Sequence, residues 1–276
     1  MRRSGRIGQP HRAPDGENAL ILCLDIGNSH IFGGIFEGEE LLMTFRKASK
    51  QGASSDEYGL FFRAVLRENG IDPGRVNRIA MCSVVPEVVY TISASCRKYF
   101  DCVPFVLQAG VRTGLKIGYQ NPLEVGADRI ANAIGGTHLF PDRDLLIIDM
   151  GTATTLCVIS KGRQYKGGVI LPGLRMSMQA LDAGTSKLGA VEIIRMEHAL
   201  GRSTTASIQS GLFYGHIGAL QEIMRRVTDE EFGGKRPYTL ATGGFSALFE
   251  NTGLFDIGLP DLVLQGLRLA EEMNRA

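Results

Sequence analysis

One sequence pattern occurs twice in this chain: an apolar segment ends in Asp-x-Gly, small polar residues follow, and a second apolar segment begins. The first copy occupies residues 22–36 and contains Asp25-Ile26-Gly27-Asn28-Ser29. The second occupies residues 146–159 and contains Asp149-Met150-Gly151-Thr152. Short apolar segments on either side of a glycine turn are typical of paired β-strands. The duplication therefore predicts two related lobes that face one cleft.

The residue types in each turn suit a phosphate chain. A glycine after the aspartate has no Cβ to block a phosphate, and the nearby backbone N–H groups and short polar side chains are hydrogen-bond donors. Asp25 and Asp149 offer hard oxygen ligands for a cation, directly or through water. One copy alone is equally compatible with an ordinary β-hairpin. Two copies in matching strand context favour a nucleotide-dependent phosphoryl-transfer enzyme.

Composition limits the partners and the compartment. With 30 Lys and Arg against 29 Asp and Glu the net charge is +1, so we expect neither nucleic acid nor a membrane surface as partner. No apolar run reaches the roughly 18–20 residues that a membrane-spanning helix needs. The five cysteines contain no C-x-x-C pair, which favours a reducing, cytoplasmic compartment. Cys23 and Cys157 are predicted to be small core residues in matching apolar strands.

The chain is long enough for two compact domains. Residues 1–19 are polar, contain Arg, Gly and Pro and lack periodicity, which predicts a disordered extension. Strands followed by helices, twice over, predict an α/β protein with layered lobes. We expect the lobes at residues 20–141 and 142–276, with the boundary near residues 140–144.

Hydrophobic periodicity and turn residues locate the individual elements. In the first lobe we predict strands at 20–26, 31–36 and 40–46, a helix from Ser54 to Gly70, a strand at 78–83, a helix from Pro86, strand-like pieces at 103–107 and 115–119, and a helix at 126–139. In the second lobe we predict two strands around Asp149, a loop at 167–173, a Met-rich amphipathic segment, a helix at 207–227 with Gly211, Gly215 and Gly218, a strand from Tyr238 into Gly243-Gly244, and a helix at 261–274.

Between the two turns lies Gly126-Ala127-Asp128-Arg129, at the start of a predicted helix. Phosphoryl transfer needs a carboxylate that takes the proton of the acceptor hydroxyl, and we predict that Asp128 is this base. Arg129 is a candidate to hold an anionic substrate through its fork of donors, or to stabilise developing phosphate charge. Helix capping with a surface ion pair is the alternative for the same two residues.

These residues together resemble the type III pantothenate kinases, bacterial enzymes of the superfamily that includes actin, sugar kinases and heat-shock chaperones. The resemblance runs from about residue 20 to the end of the chain and depends on the order and spacing of six motifs. They are Asp25-x-Gly27-Asn28-Ser29, Tyr119-x-Asn121-Pro122, Gly126-Ala127-Asp128-Arg129, Asp149-x-Gly151-Thr152, Gly201-Arg202-Ser203-Thr204 and Gln209-Ser210-Gly211. The resemblance implies two lobes of ribonuclease H-like (actin-like) α/β architecture, with mixed sheets flanked by helices.

The resemblance also implies an activity, the ATP-dependent phosphorylation of the primary hydroxyl of pantothenate, with Mg²⁺, as the first committed step toward coenzyme A. It implies Asp128 as the proton acceptor and Asp149 as the ligand of K⁺ or NH₄⁺. The implied ATP-binding residues are Asp25, Ile26, Gly27, Asn28, Ser29, His30, Ile31, Phe32 and Thr152. The implied pantothenate-binding residues are Tyr119, Gly126, Ala127, Asp128, Arg129 and Thr204, the last of them contributed across a homodimer.

Two features depart from the family pattern: Ser29 stands where threonine is usual, and the Arg-rich segment before residue 20 has no family counterpart. Three other functions stay open at this point. A non-catalytic transcription accessory factor of the same family does not need the carboxylates found here. Another superfamily kinase or phosphatase, such as a sugar kinase or a polyphosphate hydrolase, is not expected to contain Tyr119-x-Asn121-Pro122. A filament-forming, actin-like role fits this short chain least.

Overall fold

The structure is a computed structural model, and it describes residues 19–49, 52–185 and 188–275. The strands within these ranges are β1 Leu20–Ile26, β2 His30–Glu37, β3 Glu40–Ala48, β4 Val76–Ser83, β5 Phe105–Val106, β6 Lys116–Ile117, β7 Leu145–Met150, β8 Ala153–Ser160, β9 Gln164–Pro172, β10 Tyr238–Thr242 and β11 Ile257–Gly258. The α-helices are α1 Ser55–Glu68, α2 Pro86–Phe100, α3 Ala127–Leu139, α4 Leu174–Gly184, α5 Thr204–Phe232 and α6 Leu262–Asn274. The extension predicted at residues 1–19 lies outside the described residues, except for Ala19.

The first compact unit ends at Gln108 and is built on a sheet of strand order β3-β2-β1-β4-β5. Helix α1 begins with a capping box, which agrees with the helix start predicted at Ser54. The N–H of Glu57 donates to Ser54 Oγ (3.2 Å), and the N–H of Ser54 donates to Glu57 Oε2 (2.8 Å). The apolar side chains of α1 and α2, Phe62 and Ile92 among them, share one buried core with the strands.

The second unit begins at Ala109 and contains a sheet of strand order β11-β10-β7-β8-β9-β6. Side chains alternate between the two faces of a strand, so consecutive residues of β7 enter different layers. Leu146 packs in a core with Leu212 of α5, whereas Ile147 packs in another core with Leu262 of α6. Helices therefore cover both faces of this sheet.

The two sheets share one topology, which supports the duplication predicted from the repeated motif. The orders β3-β2-β1-β4-β5 and β9-β8-β7-β10-β11 correspond strand for strand, and β6 is an additional strand beside β9. In each sheet the central strand pairs antiparallel with its hairpin partner and parallel with its other neighbour. Asp25 lies opposite Phe32 and Cys82, and Asp149 lies opposite Thr155 and Thr242. The two aspartates therefore occupy equivalent positions.

The described chain divides into its two units between Gln108 and Ala109. We expected the boundary between the lobes near residues 140–144. Helix α3, which we assigned to the first lobe, packs closely on α6 of the second unit. A Cβ at Gly266 would collide with the carbonyl oxygen of Ala131, and a Cβ at Gly135 would lie 2.8 Å from the carbonyl oxygen of Leu262. Glycines thus let the two helix backbones touch, and the helix with Asp128 belongs to the second sheet.

The prediction of a loop at residues 167–173 is wrong, since β9 extends through Pro172 and pairs antiparallel with β8. Gly167 and Gly168 both lie within this strand. The reason for Gly168 is steric, because a Cβ there would collide with the carbonyl oxygen of Leu156. The long helix α5 is longer at both ends than the predicted 207–227. Among the described helices, none has both the length and the apolar character needed to cross a membrane.

Candidate active site

The first candidate phosphate turn joins β1 to β2. The N–H of Gly27 donates to the carbonyl oxygen of His30 (3.0 Å) and closes the turn. The thiol of Cys82, on the parallel neighbour β4, donates to Asp25 Oδ1 (3.3 Å). Asp25 is half-buried, whereas residues 28–30 are exposed. The turn therefore combines a held carboxylate with polar groups that a ligand can reach.

The second turn joins β7 to β8 and repeats this arrangement. The N–H of Gly151 donates to the carbonyl oxygen of Ala153 (3.0 Å), and Thr152 is exposed between them. Gly243, with φ of +87°, approaches this turn from the end of β10. A Cβ at Gly243 would lie 2.5 Å from Asp149 Oδ1. Only a glycine allows both that backbone conformation and that proximity to the carboxylate.

Asp128 is the second residue of α3, and its carboxyl group is held by the helix start. The N–H of Arg129 donates to Asp128 Oδ1 (2.9 Å). Burial raises the pKa of Asp128, and this effect outweighs the hydrogen bond and the positive charge of Arg129, which lower it. A carboxylate with a raised pKa accepts a proton more readily, as general-base catalysis at neutral pH requires.

Asn132 connects the helix of Asp128 to Asp149. It lies four residues after Asp128 on α3, so both side chains project from one face of the helix. Its Nδ2 donates to Asp149 Oδ2 (2.9 Å). Asn132 is 1 % exposed, and its Oδ1 is buried without a hydrogen-bond partner in the described part of the chain. Asn132 thus links Asp149 to the helix that carries Asp128, and its own amide oxygen remains without a hydrogen bond among the described residues.

Arg129 is enclosed by the second unit and is only 5 % exposed. Its Nε donates to Cys157 Sγ (3.3 Å). Its guanidinium carbon lies 6.0 Å from the ring centre of Tyr119 and 5.7 Å from that of Tyr165. None of the described carboxylates forms an ion pair with it. The alternative of a surface ion pair for Arg129 is therefore wrong, because the guanidinium lies inside the protein.

Three residues of this neighbourhood were not identified as functional from the sequence: Asn132, Cys157 and Tyr165. Asn132 did carry a signal, namely its spacing of four residues from Asp128 on a predicted helix. Cys157 was predicted only as a core residue. Its strand was predicted to match the strand of Cys23. Both cysteines are buried, but Cys23 lies on β1 and Cys157 on β8, which corresponds to β2 rather than to β1.

The predicted site residues divide between the two units. Those of the first turn, residues 25–32, belong to the first unit. Tyr119, Gly126, Ala127, Asp128, Arg129, Asp149, Thr152 and Thr204 belong to the second. Thr204 is exposed as the first residue of α5, after Ser203, whose Oγ accepts the N–H of Ala206 (3.2 Å). No described hydrogen bond or ion pair joins Thr204 to the Asp128 neighbourhood.

Comparison with known proteins decides the family. A sequence model of type III pantothenate kinase matches residues 21–226. The chain belongs to the type III pantothenate kinase family. A type III pantothenate kinase of Legionella pneumophila is 56 % identical over 257 residues, covering 93 % of this chain and 100 % of the relative. That of Elusimicrobium minutum is 46 % identical with the same coverage, and one from Francisella tularensis is 43 % identical, covering 93 % and 100 %.

Membership of this family confirms that the chain is a kinase, with pantothenate as substrate in the biosynthesis of coenzyme A, and favours this function over the accessory factor. Kinase chemistry implies the use of ATP with a divalent metal ion. The match also indicates that the departures noted at Ser29 and before residue 20 are compatible with membership of the family.

Solved structures confirm the fold class. A putative Baf family transcriptional activator from Campylobacter jejuni has a TM-score of 0.59 at 18 % identity, covering 92 % of this chain and 98 % of its own. A putative N-acetylmannosamine kinase from Listeria monocytogenes has a TM-score of 0.52 at 13 % identity, covering 93 % and 100 %. A dehydratase activator from Clostridium difficile with bound ADPNP also has a TM-score of 0.52 at 13 % identity, covering 93 % and 97 %. At these identities the likeness concerns the fold alone.

Proposed function

We propose that Asp128 is the general base that takes the proton of the primary hydroxyl of pantothenate as that oxygen attacks the γ-phosphate of ATP. The observation that carries this proposal is the position of Asp128 on α3, one helical turn before Asn132, whose Nδ2 donates a hydrogen bond to Asp149. Asp128 is half-buried beside a helix start, and burial raises its pKa. Its reduced solvation makes it a stronger base than a surface carboxylate.

Arg129 is assigned to the carboxylate of pantothenate. A buried guanidinium without a carboxylate partner is costly in free energy unless a ligand or dipoles stabilise it. The guanidinium fork matches a carboxylate in shape, and a bidentate pair fixes both distance and orientation. Tyr119, whose ring lies beside the guanidinium, and residues 126–128 complete the proposed pantothenate set. Binding one end of pantothenate at Arg129 would leave its hydroxyl end for Asp128.

Asp149 is assigned to a monovalent cation, K⁺ or NH₄⁺. The residues present fit such an ion, because Asp149 is a carboxylate and the neighbouring Asn132 Oδ1 is a buried oxygen without a hydrogen bond. Both are hard oxygen donors. When bound, the cation supplies positive charge that offsets the negative charge of the phosphates. Asn132 holds the Asp149 carboxylate in one orientation.

ATP is assigned to the two turns. Asp25, Ile26, Gly27, Asn28, Ser29, His30, Ile31 and Phe32 form the first set, and Thr152 belongs to the second. Backbone N–H groups and short side chains at a glycine turn are suited to phosphate oxygens. Ser29 retains the hydroxyl of the threonine that is usual in the family.

A homodimer is proposed for the active form. Gly211, Gly215 and Gly218 lie exposed on α5, and a Cβ at any of them would meet no described atom of the chain within 4 Å. A bare helix face of this kind lets another backbone approach closely. Thr204, exposed at the start of the same helix, is assigned to the pantothenate site of the partner subunit. The five free cysteines are consistent with a cytoplasmic enzyme.

A coupled ADP-release assay tests these assignments. Wild-type enzyme and Asp128→Asn are compared with pantothenate, with a hexose and without an acceptor, each with and without potassium. Turnover that requires pantothenate and potassium and that collapses in Asp128→Asn is the expected result. An Asp128→Asn enzyme with near wild-type turnover would remove Asp128 from the mechanism, and turnover indifferent to potassium would remove the assignment at Asp149.

A further inference from the structure

The guanidinium of Arg129 is held by residues that have no assigned role. The hydrogen bond from Arg129 Nε to Cys157 Sγ is 3.3 Å long. The hydroxyl of Tyr165 donates to the same sulfur, also at 3.3 Å. Arg129 Nη2 is buried without a hydrogen-bond partner among the described residues. Cys157 thus accepts the hydrogen bond of Arg129 Nε, while Tyr119 also interacts with the guanidinium.

Strand register explains why the arginine fits there. Cys157 on β8 lies directly opposite Gly168 on β9, and residues opposite each other project from the same face of a sheet. A Cβ at Gly168 would lie 2.6 Å from Arg129 Nη2. The missing side chain at position 168 therefore provides the volume that the guanidinium occupies beside the thiol.

The thiol holds the guanidinium without neutralising it. Burial raises the pKa of Cys157, and burial also raises the pKa of Tyr165, so both groups remain protonated and neutral at physiological pH. A carboxylate in the same place would form an ion pair and cancel much of the field of Arg129. A neutral sulfur acceptor leaves the positive charge of Arg129 available to attract an anionic substrate.

We propose that Cys157 is a positioning residue for pantothenate recognition: its sulfur, held in place by the Tyr165 hydroxyl, orients Arg129 so that the guanidinium can bind the substrate carboxylate. This inference rests on the proposed assignment of Arg129 to that carboxylate. It adds Cys157, Tyr165 and Gly168 to the residues that determine the affinity for the anionic substrate.

Steady-state kinetics of Cys157→Ala and Cys157→Ser provide the test, since serine and alanine differ by one oxygen that can accept the Arg129 hydrogen bond. We expect Cys157→Ala to raise the KM for pantothenate about tenfold, the size typical of a lost hydrogen bond to a charged group. The kcat and the KM for ATP should change by less than about threefold, the signature of lost ground-state binding. Cys157→Ser should restore most of the pantothenate affinity.

Two further variants keep the test decisive. Tyr165→Phe removes only the hydroxyl that holds the sulfur and should raise the same KM by a smaller factor, even if Cys157→Ala folds poorly. Cys96→Ala, at a buried cysteine in the core of the first unit, is the matched control and should leave the KM for pantothenate unchanged. Equal kinetics of the alanine and serine variants, or a loss confined to kcat, would overturn the inference.

Arg129→Gln separates this inference from the assignment on which it rests. If Arg129→Gln leaves the KM for pantothenate unchanged, the role of Arg129 itself is lost. If Arg129→Gln raises that KM strongly while Cys157→Ala and Tyr165→Phe do not, only the role of Cys157 is lost.

Discussion

The side-chain amide of Asn132 donates a hydrogen bond to Asp149 (Nδ2 to Oδ2, 2.9 Å), and this bond joins α3 to the end of β7. Asp128 lies one helical turn before Asn132, so the proposed base and the proposed cation ligand are positioned by the same helix. A change in the orientation of α3 would move Asp128 and Asn132 together and would alter the hydrogen bond to Asp149. The glycine contacts between α3 and α6 therefore support the chemistry as well as the fold.

Replacement of Asp128 by asparagine tests the proton transfer. Asparagine keeps an oxygen that can accept the Arg129 N–H, but it does not take a proton from the acceptor hydroxyl. We expect kcat to fall by about 10²- to 10⁴-fold, the range typical of a lost general base. Coupled ADP release measures this fall, and tryptic resistance equal to that of the wild type shows that the fold is intact.

The same variant has a predicted effect on stability. Since burial raises the pKa of Asp128 above its unfolded value, its contribution to stability is full below the unfolded pKa and is lost as pH rises through the folded pKa. Above the folded pKa the wild type lacks this contribution, whereas asparagine is neutral at every pH. We expect Asp128→Asn and the wild type to melt at similar temperatures near pH 4, and the variant to gain in melting temperature relative to the wild type as the pH rises. A lower melting temperature at pH 7 would contradict the burial of the charge.

The pH dependence of activity follows from the same shift. A base works only when deprotonated, so kcat/KM should fall on the acid side as Asp128 takes up a proton. Because the pKa of Asp128 is raised, this fall should begin above the ordinary aspartate value of about 3.9. Initial rates measured between pH 4.5 and 8 give the acid side of the pH profile. Unfolding is monitored in parallel over the same range. Its absence from the profile would speak against Asp128 as the base.

Asn132→Ala should weaken the proposed cation site. The change removes the donor to Asp149 and the buried Oδ1, and a lost hydrogen bond to a charged group corresponds to about a tenfold loss of affinity. We expect the potassium concentration for half-maximal activity to rise by about this factor. Thr137→Ala is the control, because Thr137 is also buried and polar on α3, but its Oγ1 bonds the carbonyl oxygen of Ala133 (2.8 Å). An identical potassium response in both variants would exclude a specific role for Asn132.

Gly243→Ala should damage the turn that holds Asp149. Gly243 has φ of +87°, and its Cβ would lie 2.5 Å from Asp149 Oδ1. A residue with a side chain in a strained conformation costs about 1–3 kcal/mol, and the clash adds to this. Gly244→Ala is the control, because a Cβ at Gly244 would meet nothing within 4 Å. Urea unfolding and potassium-dependent activity measure both, and equal behaviour of the pair would contradict the close approach.

Gly215→Arg tests the proposed homodimer. A long charged side chain on the bare face of α5 would separate two helices that pack there. We expect the variant to sediment as a single chain and to bind pantothenate more weakly, since Thr204 is assigned to the partner's site. Glu230→Arg, exposed near the other end of α5, should sediment as the wild type does. A dimer that survives Gly215→Arg would locate the interface elsewhere.

Local interactions allowed many elements to be predicted from the sequence. The strand of Leu20–Ile26 was predicted at its observed bounds, because an apolar run that is interrupted only by Asp25 and followed by a glycine turn has few alternatives. The start of α1 follows from the Ser54 and Glu57 capping box. The repeated Asp-x-Gly motif predicted the duplicated sheet, since an aspartate and a glycine turn at a strand end create the same geometry wherever they occur.

Contacts between residues distant in sequence were decided by the tertiary structure alone. The sequence by itself determined the order of the elements and the residue types at each turn, including Asp25, Asp128 and Asp149. It did not reveal that α3 belongs with the second sheet. That placement depends on the close contact between the backbones of α3 and α6 at Gly135 and Gly266. Nor did it reveal that Cys157 faces Gly168 and holds Arg129, because strand register emerges only when the strands pair and the helices pack on them.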